Sequence, residues 1–305
     1  MSKAGRSNIR GYILVAIAGI FWGVGGLFVE NLSAMGVGPG VIAFNSQAFA
    51  IIPMGLVIFF LDGIEGFKIS RKSLFHTFIL GVVSKGLFKL AYDTSITLVG
   101  VAMGSILLYL SPLFVAMMSA VFFKEKIGPI QKIALFLNLV GCVLMVTGGN
   151  FTSLNVSTLG IILGVAAAFF YGTNSIIGRF TTDGVKPRTA AFYMFIFSTL
   201  TLLPFAQPWN VASFYMDWDF LFQSILYGLV PGVLANTFFL TGISLGISPS
   251  RATIFTSLEV IMATLVGVIV FNEFINLIGV FGIALMLISI IIVNADNVQL
   301  PQMKN

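Results

Sequence analysis

Long apolar runs, broken only by short charged or glycine-bearing gaps, recur along this whole chain, and that pattern leaves few folds open. A hydrocarbon core about 30 Å thick is crossed by about 20 residues of α-helix, and every backbone group inside it must find its partner within the protein. Against that length ten stretches qualify, at residues 11–29, 41–61, 74–98, 101–123, 133–147, 159–178, 190–206, 220–245, 249–271 and 277–293. Only Gly100 and residues 246–249 mark the junctions between the third and fourth and between the eighth and ninth. Charged residues make up 9% of the 305, against about 25% in soluble globular domains. So few charges cannot clothe a soluble surface, and the expected class is an all-α integral membrane protein in a lipid bilayer.

The placement of charge tests that reading independently. The balance is basic, 16 Lys+Arg against 11 Asp+Glu, but the basic residues sit in short clusters between apolar runs. That is the pattern of loops at a membrane face, not of a nucleic-acid partner. With the N-terminus inside the cell, fourteen of the sixteen basic residues fall on the cytoplasmic side and none on the other. The remaining two, Lys85 and Lys89, lie within the third helix, while Glu30, Asp217, Asp219 and Glu273 fall on the external side. Both termini are therefore expected in the cytoplasm. The first apolar run follows Lys3, Arg6 and Arg10, is too long for a signal-peptide core and is followed by no clear A-x-A cleavage site, so it is expected to be retained. The single Cys142 excludes an intrachain disulfide and the lone His76 excludes an all-histidine metal cluster, so no metal or other cofactor is called for.

The chain also repeats itself. GYILVAIAGIFWGVGG near the start aligns without a gap on GIILGVAAAFFYGTNS, pairing Gly11 with Gly160, Phe21 with Phe170, Trp22 with Tyr171 and Gly23 with Gly172. SPLFVAMMSAVFFKEKI aligns on EVIMATLVGVIVFNEFI, which puts Glu125 and Glu273 at the same place just past a span. The repeats cover residues 10–149 and 158–297, between short cytoplasmic tails at 1–9 and 298–305. Five spans per repeat is an odd number, so the second repeat must lie upside down relative to the first. Inverted repeats of this kind recur in transporters, because two mirrored halves provide two near-equivalent states.

These residues resemble the drug/metabolite transporter superfamily, and within it the EamA type. The resemblance rests on the aromatic–glycine pairs Trp22-Gly23 and Tyr171-Gly172 and on the stretches GVAMGSILLYLSPLFVAMMSAVFFKEKI and SPSRATIFTSLEVIMATLVGVIVFNEFI. That family's repeats carry a motif like Leu-Glu-Pro followed further along by Gly-Glu. The first copy here keeps Pro112 and Glu125 but has Ser111 where the acid stands; the second keeps Glu259 and Glu273 but has Val260 for the proline. The resemblance covers essentially the whole chain. It implies a central cavity lined by helices 1, 3, 4, 6, 8 and 9, with helices 5 and 10 at the edge. It also implies movement of a small molecule, with a leaning to amino-acid or metabolite export, across a bacterial inner (plasma) membrane. It does not name the substrate.

Within the spans a few polar residues stand out. Lys85, Lys89 and Asp93 are spaced i, i+4, i+8, which on a regular α-helix is one face. Lys85 is about 18 Å from the cytoplasmic end at 1.5 Å per residue, beyond easy snorkelling. One reading has this stripe bind an anionic group of the substrate. The other has Lys89 pair with Asp93 and Lys85 with Glu259 as structural ions. Glu259, near the bilayer midplane, is either the carrier of a coupling proton or a constant partner of a lysine. Trp22, Tyr92, Tyr109 and Tyr171 either shape the cavity or serve ordinary packing. Asn174 and Asn236 are substrate contacts or interhelical hydrogen bonds. Pro112 and Pro231 are expected to kink their helices, and Arg251 reads as a topology or gate residue.

The candidate function is a secondary carrier working by alternating access on an amino acid or related zwitterion or anion, as monomer or homodimer, with the proton as a candidate coupling ion. A facilitator or exchanger for another metabolite or drug, and a receptor on the same fold, are the competing classes. No GxxxxGK(S/T), HExxH or GxSxG motif is present to support nucleotide hydrolysis or intramembrane catalysis.

Overall fold

The structure, a computed structural model, describes residues 3–124, 127–149, 156–181, 185–245, 255–256 and 258–299. Among them there are helices and no strands. Seven helical segments are long and apolar enough to cross a membrane: α1 (Ile9–Ala34), α2 (Pro39–Asp62), α3 (Arg71–Val99), α4 (Val101–Phe122), α5 (Pro129–Thr147), α7 (Pro187–Ala206) and α8 (Trp218–Ser244). Three more carry shorter apolar stretches: α6 (Thr158–Thr181), α9 (Leu258–Val270) and α10 (Leu277–Gln299). Among the described residues, the seven spans and the three shorter apolar helices overlap the stretches expected from the sequence.

The observed helices start earlier than apolarity alone suggests, because proline opens them. Pro39, Pro129 and Pro187 each occupy the first turn of a helix. There the missing N–H removes no intrahelical bond and the fixed φ suits the helix. The first turns of α5 and α7 carry Gln131, Lys132 and Arg188, which an apolar ruler skips.

Packing follows the repeat. α1 packs on α8 and α9, and α6 packs on α3 and α4; α2 faces α7 and α5 faces α10. Exchanging α1–α5 with α6–α10 maps this set of pairs onto itself. At the α5–α10 contact a Cβ on Gly141 would lie 2.5 Å from the carbonyl oxygen of Gly282, and Asn138 donates to Ser289 at 3.2 Å. Small residues of this kind let helices approach closely where lipid offers no hydrophobic drive.

Two irregularities recur in both halves. α3 widens into a π-helix over Leu80–Leu87, and α8 does so over Gly228–Leu234. The two segments are offset by 148 and 147 residues at their ends, matching the 148 from Glu125 to Glu273. Pro231 lies inside the second π segment, where the ladder is already widened. Pro112 stands in the first turn of the second half of α4, just after a break at Tyr109 and Leu110. Arg251 lies outside the described residues.

The orientation inferred from charge can be checked on whole cells. Reporter fusions after Asn305 are expected to give cytoplasmic signals, and fusions near Ser213, in the short helix Pro208–Met216, external ones. Signals from the same side at both positions would contradict the inverted repeat.

Candidate functional site

Several polar side chains of the spans stand together on α3, α4, α8 and α9. Asp93 is fully buried and pairs with Lys89, one turn earlier on α3, at 2.9 Å. The same carboxylate oxygen accepts a hydrogen bond from the Tyr227 hydroxyl of α8 at 2.8 Å. Lys89 also donates to that hydroxyl, and its ammonium lies 4.2 Å from the centre of the Tyr227 ring. Lys89, Asp93 and Tyr227 therefore close a three-membered network between α3 and α8. An ion buried in hydrocarbon needs such partners, because desolvation is otherwise uncompensated.

Lys85 does not belong to that network. The π turn passes through it, so its bearing differs from that of an α-helical i, i+4 neighbour of Lys89. Its ammonium lies over the Phe195 ring of α7 at 5.7 Å. Among the described residues no carboxylate reaches it within ion-pair distance, so within the stripe read from the spacing Lys89 is paired and Lys85 is not, although the two ammonium groups act on each other through space. Glu259 acts on Lys85 through space but does not pair with it directly.

Glu259 is where the helices meet. The Tyr109 hydroxyl of α4 stands near its carboxyl, and Lys85 and Lys89 act on its charge. Tyr92 and Tyr171 both feel that charge as well. Tyr92 bonds Ser105 of α4 at 2.9 Å and stacks on Phe88, whose other neighbour is Tyr171 at 5.4 Å between ring centres. α1 can reach the same place because Gly23 has no side chain: a Cβ there would lie 2.6 Å from the Glu259 carbonyl oxygen. The site thus holds two cations and two acids under a cluster of aromatic rings. Lys85 and Glu259 place an ammonium and a carboxyl on separate helices.

Other residues singled out from sequence fall elsewhere. Trp22 packs against Phe239 of α8 with 5.4 Å between ring centres. The Asn236 side chain donates to the carbonyl of Gly232, one turn back in its own helix, and makes no bond to another helix among the described residues. Asn174 is exposed. The spacing of residues did not point to Tyr227, Phe195 or Ser105, all of which meet the lysine-bearing helix from other helices. No group of three or more His, Cys, Asp and Glu side chains stands together as a metal site among the described residues.

The sequence profile described as the EamA-like transporter family matches this chain twice, over residues 9–147 and 158–295. An uncharacterized inner membrane transporter of Salmonella typhimurium, YicL, is 26% identical over 95% of this chain and 97% of its own length. The uncharacterized transporter YwfM of Bacillus subtilis is 23% identical over 93% of each chain. An uncharacterized transporter of Archaeoglobus fulgidus is 24% identical over 93% of this chain and 99% of its own. One solved crystal structure overlays on 95% of this chain and 99% of its own with a TM-score of 0.64, at 14% identity, a likeness of fold alone. The chain is a multi-pass membrane protein and belongs to the EamA-like transporter family.

Proposed function

We propose that this transporter is a secondary carrier for a small zwitterionic or anionic metabolite of the amino-acid type, working by alternating access in the export direction across a bacterial inner membrane. The observation that carries the reading is the pairing pattern at the site. Lys89 is engaged by Asp93 and Tyr227, whereas Lys85 has no carboxylate in ion-pair contact among the described residues and sits near Glu259. A substrate anion has Lys85 to bind, and a substrate ammonium has Glu259. The aromatic rings of Phe88, Tyr92 and Tyr171 supply the apolar wall. The relatives named inner membrane transporters support the location, and the inverted repeat supports alternating access.

Glu259 also has the surroundings of a coupling group. Its charge is compensated by Lys85, Lys89 and the Tyr109 hydroxyl. A proton and a substrate ammonium compete for that carboxylate, so release of substrate on the outside lets Glu259 take up a proton that is carried inward, the exchange that export requires. Purified protein screened by thermal shift against amino acids, sugars and organic acids identifies a ligand for the flux assay. In proteoliposomes a pH gradient is expected to speed flux by wild type and to lose that effect in Glu259→Gln. Equal stimulation of both proteins would remove Glu259 from the coupling role. No stimulation of either would identify a facilitator or exchanger.

A further inference from the structure

Glu273 takes no part in the site, yet its carboxylate is tightly held. Oε1 accepts from the backbone N–H of Val101 at 2.6 Å and Oε2 from that of Ala102 at 2.9 Å. These are the first N–H groups of α4, which have no partner within the helix and lie at its positive end. The backbone of Glu273 is fixed in turn by its own N–H, which donates to the Gly267 carbonyl at 2.9 Å. Two glycines make the room. A Cβ at Gly100 would lie 2.8 Å from Oε1, and one at Gly267 would lie 2.6 Å from Oε2. Gly100 also turns the chain from α3 into α4 at φ +87°, which a side chain would strain.

The position of this contact is what gives it meaning. It joins the α9–α10 turn of the second half to the α3–α4 turn of the first, at the end of the molecule that the charge distribution places outside. α4 and α9 are the helices that carry Tyr109 and Glu259 into the site. The α1 carboxylate Glu30 is close enough to repel Glu273, so the closed contact is opposed from within. In the repeat, Glu125 stands where Glu273 does, and residues 249–250 stand where Val101 and Ala102 do. Those counterparts lie outside the described residues.

We propose that Glu273 is a latch. Its carboxylate holds the outer ends of α4 and α9 together, and it must release the α4 N-terminus before the site can open on that side. The latch rests on the carrier reading, since a protein that never opens to both sides has no use for it.

The test reads access from each side. In a Cys142→Ala background, Ser105→Cys places a thiol on α4 one turn in from the latch, at a position only 1% exposed. A membrane-impermeant maleimide is applied to right-side-out and to inverted vesicles. Wild type is expected to label slowly from both sides. Glu273→Gln is expected to raise the outer rate about tenfold, since the charge-assisted part of the contact is lost, and to lower the inner rate. Gly267→Ala keeps the charge but crowds the carboxylate, so it is expected to act in the same direction as Glu273→Gln and decides the matter if Glu273→Gln does not fold. Unchanged outer labelling in a folded variant would show that Glu273 is a static cap and overturn the latch. Labelling from one side only, in wild type and every variant, would overturn the carrier reading and the latch with it.

Discussion

Lys85→Met is expected to weaken substrate binding by about 30-fold to several thousand-fold while the protein still inserts and folds. Removing one partner of a buried charged contact costs about 2–5 kcal/mol, and each 1.4 kcal/mol is about a factor of ten. Within the protein itself the loss is small. Lys85 makes no ion pair among the described residues, and its ammonium rests over Phe195 at 5.7 Å. Methionine keeps the length of the side chain and packs against an aromatic ring. Affinity for the ligand found by thermal shift, together with monodispersity in detergent, checks both halves of the expectation. Wild-type affinity in a folded Lys85→Met protein would remove this residue from the substrate site.

The second large effect falls on stability. Lys89→Met is expected to destabilise the protein by about 3–5 kcal/mol, because it leaves Asp93 buried and charged without its cation. Asp93 is fully buried, its Oδ1 carries both protein bonds, and its Oδ2 has no donor among the described residues. Tyr227 alone cannot neutralise it. Removing both charges together, as Lys89→Met with Asp93→Leu, is expected to recover most of that loss, since a buried pair replaced by apolar groups is close to neutral. Thermal unfolding in detergent measures both variants. Equal destabilisation by the single and double changes would mean that the pair itself, rather than an uncompensated charge, holds α3 in place.

The contrast between the two lysines shows where sequence reading reaches its limit. Helix positions were legible because a bilayer imposes a length on every span and basic residues avoid one side of it. The twofold repeat was legible because Trp22-Gly23 and Tyr171-Gly172, and Glu125 and Glu273, keep their spacing. The role of each lysine was not. Their i, i+4 spacing places both on one side of the helix but does not say which of them finds a carboxylate, and nothing in LGVVSKGL announces that the ladder widens there. Tyr227 is 138 residues from Lys89, so their contact follows from the packing of α3 on α8. Tyr109 and Glu259 meet for the same kind of reason, across two halves whose relative placement the sequence leaves open. Asn236 illustrates the converse: a polar residue in mid-span suggested an interhelical bond, but its amide turns back on its own helix beside Pro231. The motif acids Glu125 and Glu273 were visible from their spacing alone, whereas what Glu273 binds, two backbone N–H groups, has no side-chain signature.

Counterflow tests the central claim most directly. Proteoliposomes preloaded with the unlabelled ligand are diluted into a trace of labelled ligand, and uptake is followed in time. A carrier with one site presented alternately to each side gives saturable uptake that rises transiently above equilibrium, and Lys85→Met should abolish it. Uptake that is neither saturable nor accelerated by ligand inside would contradict a carrier, and no uptake of a ligand that binds tightly would point to a receptor.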